Sequence, residues 1–295
     1  MRIAPPARVA LESTLIAHGL PWPDNLATAR GSEAAVREAG AEPATVVVLA
    51  GSVRVGIGPE ELERLAGLPA GTILKAGRRD LAWAVARGLD AATTVGATLW
   101  IARRHGIDVM ATGGLGGVHR GADRTFDVSA DLDELARADG ALVVCSGVKS
   151  ILDVAATLEV LETRGVPVVG YRTDDFPAFT TVSSGLAVEA RVDSPTEAAD
   201  LVRAHRRLGL PGAIVLAQPP PADLAIPRKE MEAAVADALL RAQERGIAGK
   251  AITPFLLDAI RESTSGRSLA ANKALIVANA RLAGEVAAEL GGLVR

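Results

Sequence analysis

Lys149 follows the apolar run Ala141 to Cys145 through Ser146, Gly147 and Val148. A lysine at the carboxyl end of a sheet strand lies where open α/β folds bind their ligands. Partial desolvation there would free the amine to attack a carbonyl carbon, whereas most lysines are simply solvated surface charges. Glu12 stands just after the short run Val9 to Leu11, with His18 and Gly19 beyond it. A carboxylate in that position can move protons within a cleft, or be a hydrogen-bonded structural group. In Asp127-Val-Ser-Ala-Asp131, two carboxylates four residues apart flank a hydroxyl. Such hard oxygen donors suit Mg²⁺ or Mn²⁺; alternatively Ser129 or Asp131 caps the helix that runs through Leu135.

Other clusters point to anions and to a flat polar ring. Thr112-Gly-Gly-Leu-Gly-Gly-Val-His-Arg-Gly121 follows an apolar strand and ends in His119 and Arg120. Its glycines either let backbone approach a ligand closely or make a tight structural turn. No Gly-Lys-Ser or Gly-Lys-Thr closes the segment, and no helix follows as a dinucleotide fingerprint requires. Lys75, Arg78 and Arg79 form either a phosphate clamp or an exposed turn. Thr93 to Ala97 opens a helix whose free amides can meet an anion, unless Thr93 or Thr94 is only a cap. Asn272 and Asn279, seven residues apart on one helical face, can read the amide edges of a base or link helices. Cys145 reads as a small buried strand residue.

Positioning these groups calls for a sheet. The runs Val9 to Leu11, Thr45 to Ala50, Val109 to Ala111, Ala141 to Cys145, Val168 to Tyr171 and Ala213 to Ala217 alternate with helically spaced segments. That alternation predicts an α/β fold, a single three-layer α/β/α domain over residues 1–295 with a mainly parallel, mixed central sheet. Gly51 predicts a tight turn between an antiparallel pair. Asp24 and Gly40 bracket one helix, Asp80 is read as the cap of another from Leu81, and Gly106 and Gly165 mark helix stops. Asp174 to Glu189 reads as a long binding loop, and three helices are expected from about Pro227, Pro254 and Ser268.

Composition narrows the class of partner. A net charge of -3, from 35 acidic and 32 basic residues, offers no broad positive field for a nucleic-acid polymer. One cysteine excludes an intramolecular disulfide and the all-cysteine zinc patterns. Arg2, Arg8, Glu12 and His18 interrupt any signal-peptide core, and no apolar run approaches a membrane span, so a cytoplasmic protein without a membrane partner is expected.

Taken in order, ALESTLIAHGLPWPDN (10–25), ATTV (92–95), ATGGLGGVHRG (111–121), TFDVSADL (125–132), VKSILD (148–153), GVPVVGYRTDDFPAF (165–179) and GKAITPFLLD (249–258) closely resemble the pseudouridine-5'-phosphate glycosidases, a family that includes indigoidine synthase A-like proteins. The resemblance implies reversible cleavage of a C-glycosidic bond between ribose 5-phosphate and uracil, with Mn²⁺ or another divalent metal such as Mg²⁺, in a homotrimer. It also implies roles: Lys149 as the Schiff-base lysine, Glu12 as the proton-transferring acid, and Asp127 at the metal. Lys75, Val95, Thr112, His119, Ser129, Ala130, Asp131 and Asn272 are implied to bind substrate, Thr112 and Asn272 on the base side. The sequence departs from the family pattern at Gln218-Pro-Pro-Pro221, where Asn-Pro-Ile-Pro is usual, at Ala278 before Asn279, and at Ala76-Gly77. These changes are expected to touch the base pocket rather than the sugar chemistry. A C-glycosynthase joining ribose 5-phosphate to another aromatic ring is the related alternative, and a non-catalytic sugar-phosphate binding protein the alternative of another class.

Overall fold

The computed structural model of the protein describes residues 6–69, 71–247 and 252–291. The strands are β1 (Arg8–Leu11), β2 (Glu42–Leu49), β3 (Ser52–Val55), β4 (Leu74–Ala76), β5 (Ala91–Thr93), β6 (Val109–Ala111), β7 (Val118–His119), β8 (Leu142–Cys145), β9 (Leu152–Asp153), β10 (Val168–Tyr171), β11 (Ala190–Val192) and β12 (Ile214–Ala217). The helices are α1 (Asp24–Glu38), α2 (Pro59–Ala66), α3 (Arg78–Ala86), α4 (Val95–Arg104), α5 (Ala122–Thr125), α6 (Asp131–Arg137), α7 (Val154–Thr163), α8 (Pro195–Arg207), α9 (Arg228–Glu244), α10 (Ile252–Ser263) and α11 (Arg267–Gly291).

The central strands are apolar on both faces, which a sheet tolerates only when helices cover both sides. Val9 and Leu11 of β1, Leu142 and Val144 of β8, and Ile214 and Leu216 of β12 pack with Val202 of α8 and Ala283 and Val286 of α11. The alternate residues Ala10, Val143 and Val215 turn the other way, toward Leu99 of α4, Leu135 of α6 and Leu161 of α7. The three-layer α/β/α arrangement therefore follows from the two-residue period of each strand. Helices α9 and α10 form a further cluster over Val148, Ile151, Phe176 and Ala217.

The sheet order is β11-β10-β12-β8-β6-β1-β2-β5-β4, with β3 also on β2, while β7 and β9 pair separately. Strand β2 is shared between two parts. Its first half runs parallel to β1 through Glu42 to Thr45, and its second half pairs antiparallel with β3 and with β5. The Val46 carbonyl between the halves accepts hydrogen bonds from Ser13 Oγ at 2.6 Å and Thr93 Oγ1 at 2.8 Å. The chain leaving β1 and the end of β5 thus meet head to head along one edge of β2. A second bond, from Thr93 N to Ser13 Oγ at 2.8 Å, ties them together.

The observed strands at Val109–Ala111 and Val168–Tyr171 agree with the sequence expectation to the residue, and the β2–β3 turn falls at Ala50 and Gly51 as expected. Both turn residues have positive φ, and a Cβ at Gly51 would lie 2.8 Å from the Gly88 Cα, so only glycine fits there. The antiparallel pairing of β5 was not foreseen, because its Ala-Ala-Thr lacks the large apolar residues that mark a strand. Asp80 is not the cap of α3: the helix begins at Arg78, and Asp80 in its first turn accepts from Gly77 N at 2.9 Å. Helix α10 already includes Ile252, before Pro254, and Gly249 to Ala251 of the motif GKAITPFLLD lie outside the described residues. Among the described residues, no helix is long and apolar enough to cross a membrane.

Cys145 is fully buried at the end of β8, and burial pushes its thiol up to about 12. A thiol-specific chromogenic reagent at pH 8 should leave the folded protein unlabelled and modify one thiol per chain after unfolding in guanidinium. Rapid labelling of the native protein would show that this end of β8 opens to solvent.

Candidate active site

Strands β1, β6 and β8 are adjacent and parallel, so the residues that follow them emerge side by side: Glu12, Thr112 and the segment Ser146 to Lys149. Across the break at Val46, β4 and β5 point the opposite way and bring Lys75 toward the same place. A cavity with about 580 Å³ of open space lies there, lined by Glu12, Lys75, Thr112, Lys149 and Asn272 among others. Five residues named from widely separated parts of the sequence thus share one wall system.

Glu12 is buried, and its two carboxylate oxygens accept from the hydroxyls of Thr14 and Thr112. That clamp fixes the carboxylate plane and commits the Thr112 hydroxyl to Glu12. Lys149 arrives through the turn after β8, its backbone N–H donating to Leu115 O at 3.3 Å. His119 lies off the cavity lining but within the electrostatic reach of both lysines. Burial holds it below the ordinary imidazole range, Asp127 opposes this, and the charges of Lys149 and Lys75 add to it. His119 is therefore a neutral hydrogen-bonding group at pH 7.

The glycine-rich loop works by close packing more than by offering amides. None of Gly113, Gly114, Gly116 and Gly117 has a positive φ. A Cβ at Gly113 would lie 2.9 Å from Ile276, one at Gly114 2.7 Å from Phe179, and one at Gly116 2.7 Å from the Asp131 carboxylate. Several loop amides are already used: Leu115 N donates to Gly147 O, Gly116 N to Asp131 Oδ2 and Val118 N to Thr157 Oγ1. Asp131 also accepts from Gly96 N at 2.8 Å, so this buried side chain occupies the amino end of α4 itself. Val95, Ser129, Ala130 and Asp131 stand behind the cavity lining rather than on it, joined to it through the glycine-rich loop. Ser129 Oγ accepts from Asp131 N at 3.2 Å in the turn before α6, whose N-cap position is Ala130 and has no side-chain cap.

Other candidates divide between ligand wall and framework. Arg78 pairs with the buried Glu134 at 2.7 Å and Arg79 is exposed, so of that basic trio only Lys75 lines the cavity. Asn272 lines the cavity, whereas Asn279 is wholly buried and ties three strand ends together. Its Nδ2 donates to Thr112 O at 2.9 Å and Ser146 Oγ at 3.1 Å, and its Oδ1 accepts from Gln218 Nε2 at 3.2 Å. Gln218 thus departs from the family pattern in a framework bond and does not line the cavity.

Asp127 is exposed, with Oδ2 3.9 Å from His119 Nδ1. Among the described residues, no group of three or more His, Cys, Asp or Glu encloses a metal site. The donors fit an ion that takes a single protein carboxylate and keeps most of its water, as Mg²⁺ and Mn²⁺ do beside phosphates.

Residues 5–289 match the family described as indigoidine synthase A-like protein. The chain belongs to this family. It is 51% identical over 287 residues to the pseudouridine-5'-phosphate glycosidase of Caldanaerobacter subterraneus subsp. tengcongensis, covering 97% of this chain and 92% of the relative. It is 54% identical over 282 residues to the enzyme of the same name from Herpetosiphon aurantiacus, covering 96% and 92%. An indigoidine synthase A-like protein from Thermotoga maritima has the same fold, with a TM-score of 0.89, 39% identity and coverage of 97% and 94%. The prealnumycin C-glycosynthase AlnA, solved in complex with ribulose 5-phosphate, superposes with a TM-score of 0.88 at 40% identity, covering 98% and 92%. The family is thus one of enzymes that act at C-glycosidic bonds.

His18 and Phe179 also line the cavity, and neither was singled out as a site residue from sequence. Burial and then the charge of Lys75 hold His18 below the ordinary imidazole range, and its Nε2 has no hydrogen-bond partner among the described residues. The signal for His18 was its place six residues after Glu12 within one motif, and for Phe179 its place at the end of the motif over residues 165–179.

Replacing Asp131 with Ala would remove the acceptor for two buried amides, those of Gly96 and Gly116. Urea unfolding should report a loss of about 3 kcal/mol, and a loss well under about 1 kcal/mol would show that Asp131 does not hold α4 to the loop.

Proposed function

We propose that the protein cleaves the C-glycosidic bond of pseudouridine 5'-phosphate to give uracil and ribose 5-phosphate, and runs the same reaction in reverse. The observation that carries this reading is the convergence of Glu12, Lys149, Lys75, Thr112 and Asn272 on one cavity in a member of this family. An O-glycosidase protonates an oxygen leaving group between two carboxylates, but carbon is a far poorer leaving group, so another route is required.

An amine supplies that route. In the direction of synthesis, ring-opened ribose 5-phosphate presents an aldehyde at C1'. Lys149 condenses with it and water leaves, giving an iminium that C5 of uracil attacks. Glu12, clamped by Thr14 and Thr112, accepts the C5 proton. Closure of O4' onto C1' then releases the lysine amine. Lys75 on the cavity wall holds the phosphate end, with Val95 and the segment Ser129 to Asp131 supporting that wall from behind. Its binding energy positions a carbon that must stay in register through several steps. Asn272, on the cavity wall, faces the base, while His119 stays behind the lining as a neutral neighbour of the two lysines.

Asp127 would hold Mn²⁺ or Mg²⁺, which would neutralise charge on the phosphate. Chelation by EDTA should therefore lower turnover, and Mn²⁺ should restore it. Activity untouched by chelation would remove Asp127 from that role. A homotrimer is part of the same proposal, to be read from sedimentation equilibrium.

The deciding experiment incubates the protein with ribose 5-phosphate, Mn²⁺ and uracil and follows pseudouridine 5'-phosphate by mass spectrometry. Borohydride should trap ribose 5-phosphate on Lys149 of the wild type, and Lys149→Ala should lose both the adduct and turnover while remaining folded. Trapping without product would favour a C-glycosynthase for another ring, a reading that the likeness to AlnA supports. Neither adduct nor product would leave a sugar-phosphate binding protein.

A further inference from the structure

The chain leaving β1 carries three polar side chains in a row, Glu12, Ser13 and Thr14, and then makes one wide π-type turn over Leu15–Gly19. Wide turns of this kind recur at functional sites. Thr14 stands at the amino cap of the turn. A threonine there normally accepts from a free backbone amide of the first turn, which stabilises the helix start. Thr14 makes no such cap, and its hydroxyl donates back to Glu12 Oε2. The amides of Ile16 and Ala17 go instead to the Ser13 carbonyl, at 3.0 and 3.1 Å.

The Ser13 hydroxyl is also withheld from the turn. It is wholly buried, donates to the Val46 carbonyl at 2.6 Å and accepts from Thr93 N at 2.8 Å. The residue before Thr14 is thus fixed to the junction of β1, β2 and β5, while Thr14 itself lines the cavity. The last torsion of a glutamate side chain is broad, so a carboxylate held at one oxygen could still swing. Thr112, at the end of β6, holds Oε1 and Thr14 holds Oε2. The two arms come from different strands, and the branched Cβ of each threonine limits its own rotation.

We propose that Thr14 is a positioning residue for proton transfer at C5 of the base: its hydroxyl, set by the Ser13 anchor, turns a Glu12 lone pair toward the C5–H bond. The proposal rests on the C-glycosidic reading above. Once the base has bonded to C1', the electrons of its C5–H bond return to the ring and the proton passes to Glu12. Thr14 gives up no proton, and a carboxylate oxygen that accepts one hydroxyl retains a lone pair for the substrate. A C–H group is a weak hydrogen-bond donor and does little to draw the carboxylate into line, so the protein must supply the alignment.

The synthetic reaction separates this role from others. Thr14→Val keeps the shape of the side chain without its hydroxyl and should lower kcat about tenfold to a hundredfold, the scale on which a misplaced catalytic group costs rate, with KM for ribose 5-phosphate and for uracil unchanged. Thr14→Ala should fall likewise, so that a crowded valine methyl is not mistaken for the lost bond. Thr14→Ser should recover most of the rate. With Thr14→Val, 5-deuterouracil should react more slowly than uracil, because C5 proton transfer has become the slow step. Borohydride trapping of ribose 5-phosphate without base should match the wild type, which also reports a folded variant. A wild-type kcat in both hydroxyl-free variants overturns the proposal, as does a rise in KM alone, failure of serine to rescue, or absence of the isotope effect. Loss of trapping in both variants overturns it in favour of a framework role. A wild-type adduct that never yields pseudouridine 5'-phosphate overturns it while sparing the lysine chemistry. Absence of any adduct on the wild type sinks the catalytic reading itself, and this one with it.

Discussion

The Val46 carbonyl is the point on which the site turns. It lies where β2 passes from parallel pairing with β1 to antiparallel pairing with β5, and it accepts from Ser13 and Thr93, residues from the two opposed ends. A parallel sheet alone would supply ligand groups from one set of strand ends. The reversal of β4 and β5 adds a second set that faces the first, bringing Lys75 toward Glu12, Thr112 and Lys149. A substrate with a charged phosphate and a reactive carbon needs such two-sided support.

Behind that junction the framework is held by buried polar side chains that never reach the cavity. Asp131 joins α4 to the glycine-rich loop, and Asn279 joins the ends of β6, β8 and β12. Such networks favour a single geometry because each member, left alone, would be an unpaired buried group. The four glycines between Gly113 and Gly117 let Asp131, Thr157, Ile276 and Phe179 approach the loop closely. In the proposed reaction the Glu12 carboxylate moves the proton, and each of its oxygens accepts from a threonine hydroxyl. Preorganisation of this kind spares the reaction the cost of orienting its groups.

Much of the fold was legible because long apolar strands and helical spacing leave periodic marks. The strands at Val109–Ala111 and Val168–Tyr171, the turn at Gly51 and the helix stops at Gly106 and Gly165 all carried such marks. Strand β5 did not, since Ala-Ala-Thr lacks the large apolar residues that mark the equally short Val109–Ala111. Local sequence also cannot distinguish a glycine that offers an amide to a ligand from one that admits a neighbouring side chain. At Gly116 the same Asp131 oxygen, fifteen residues away, both accepts from the amide and lies where a Cβ would need room.

The sequence by itself determined the layered α/β plan, the family, and the candidate chemistry of Glu12, Lys149 and Asp127, because residue type and period are local properties. Only the tertiary structure decided which candidates meet. It set Lys75 and Asn272 on the cavity but turned Arg78 to Glu134, Asp131 to α4 and Asn279 to the strand ends. It alone revealed a second cavity beyond Asn272. The reason is physical: a polar side chain is assigned by the partner that satisfies it, and these partners lie tens to hundreds of residues away along the chain.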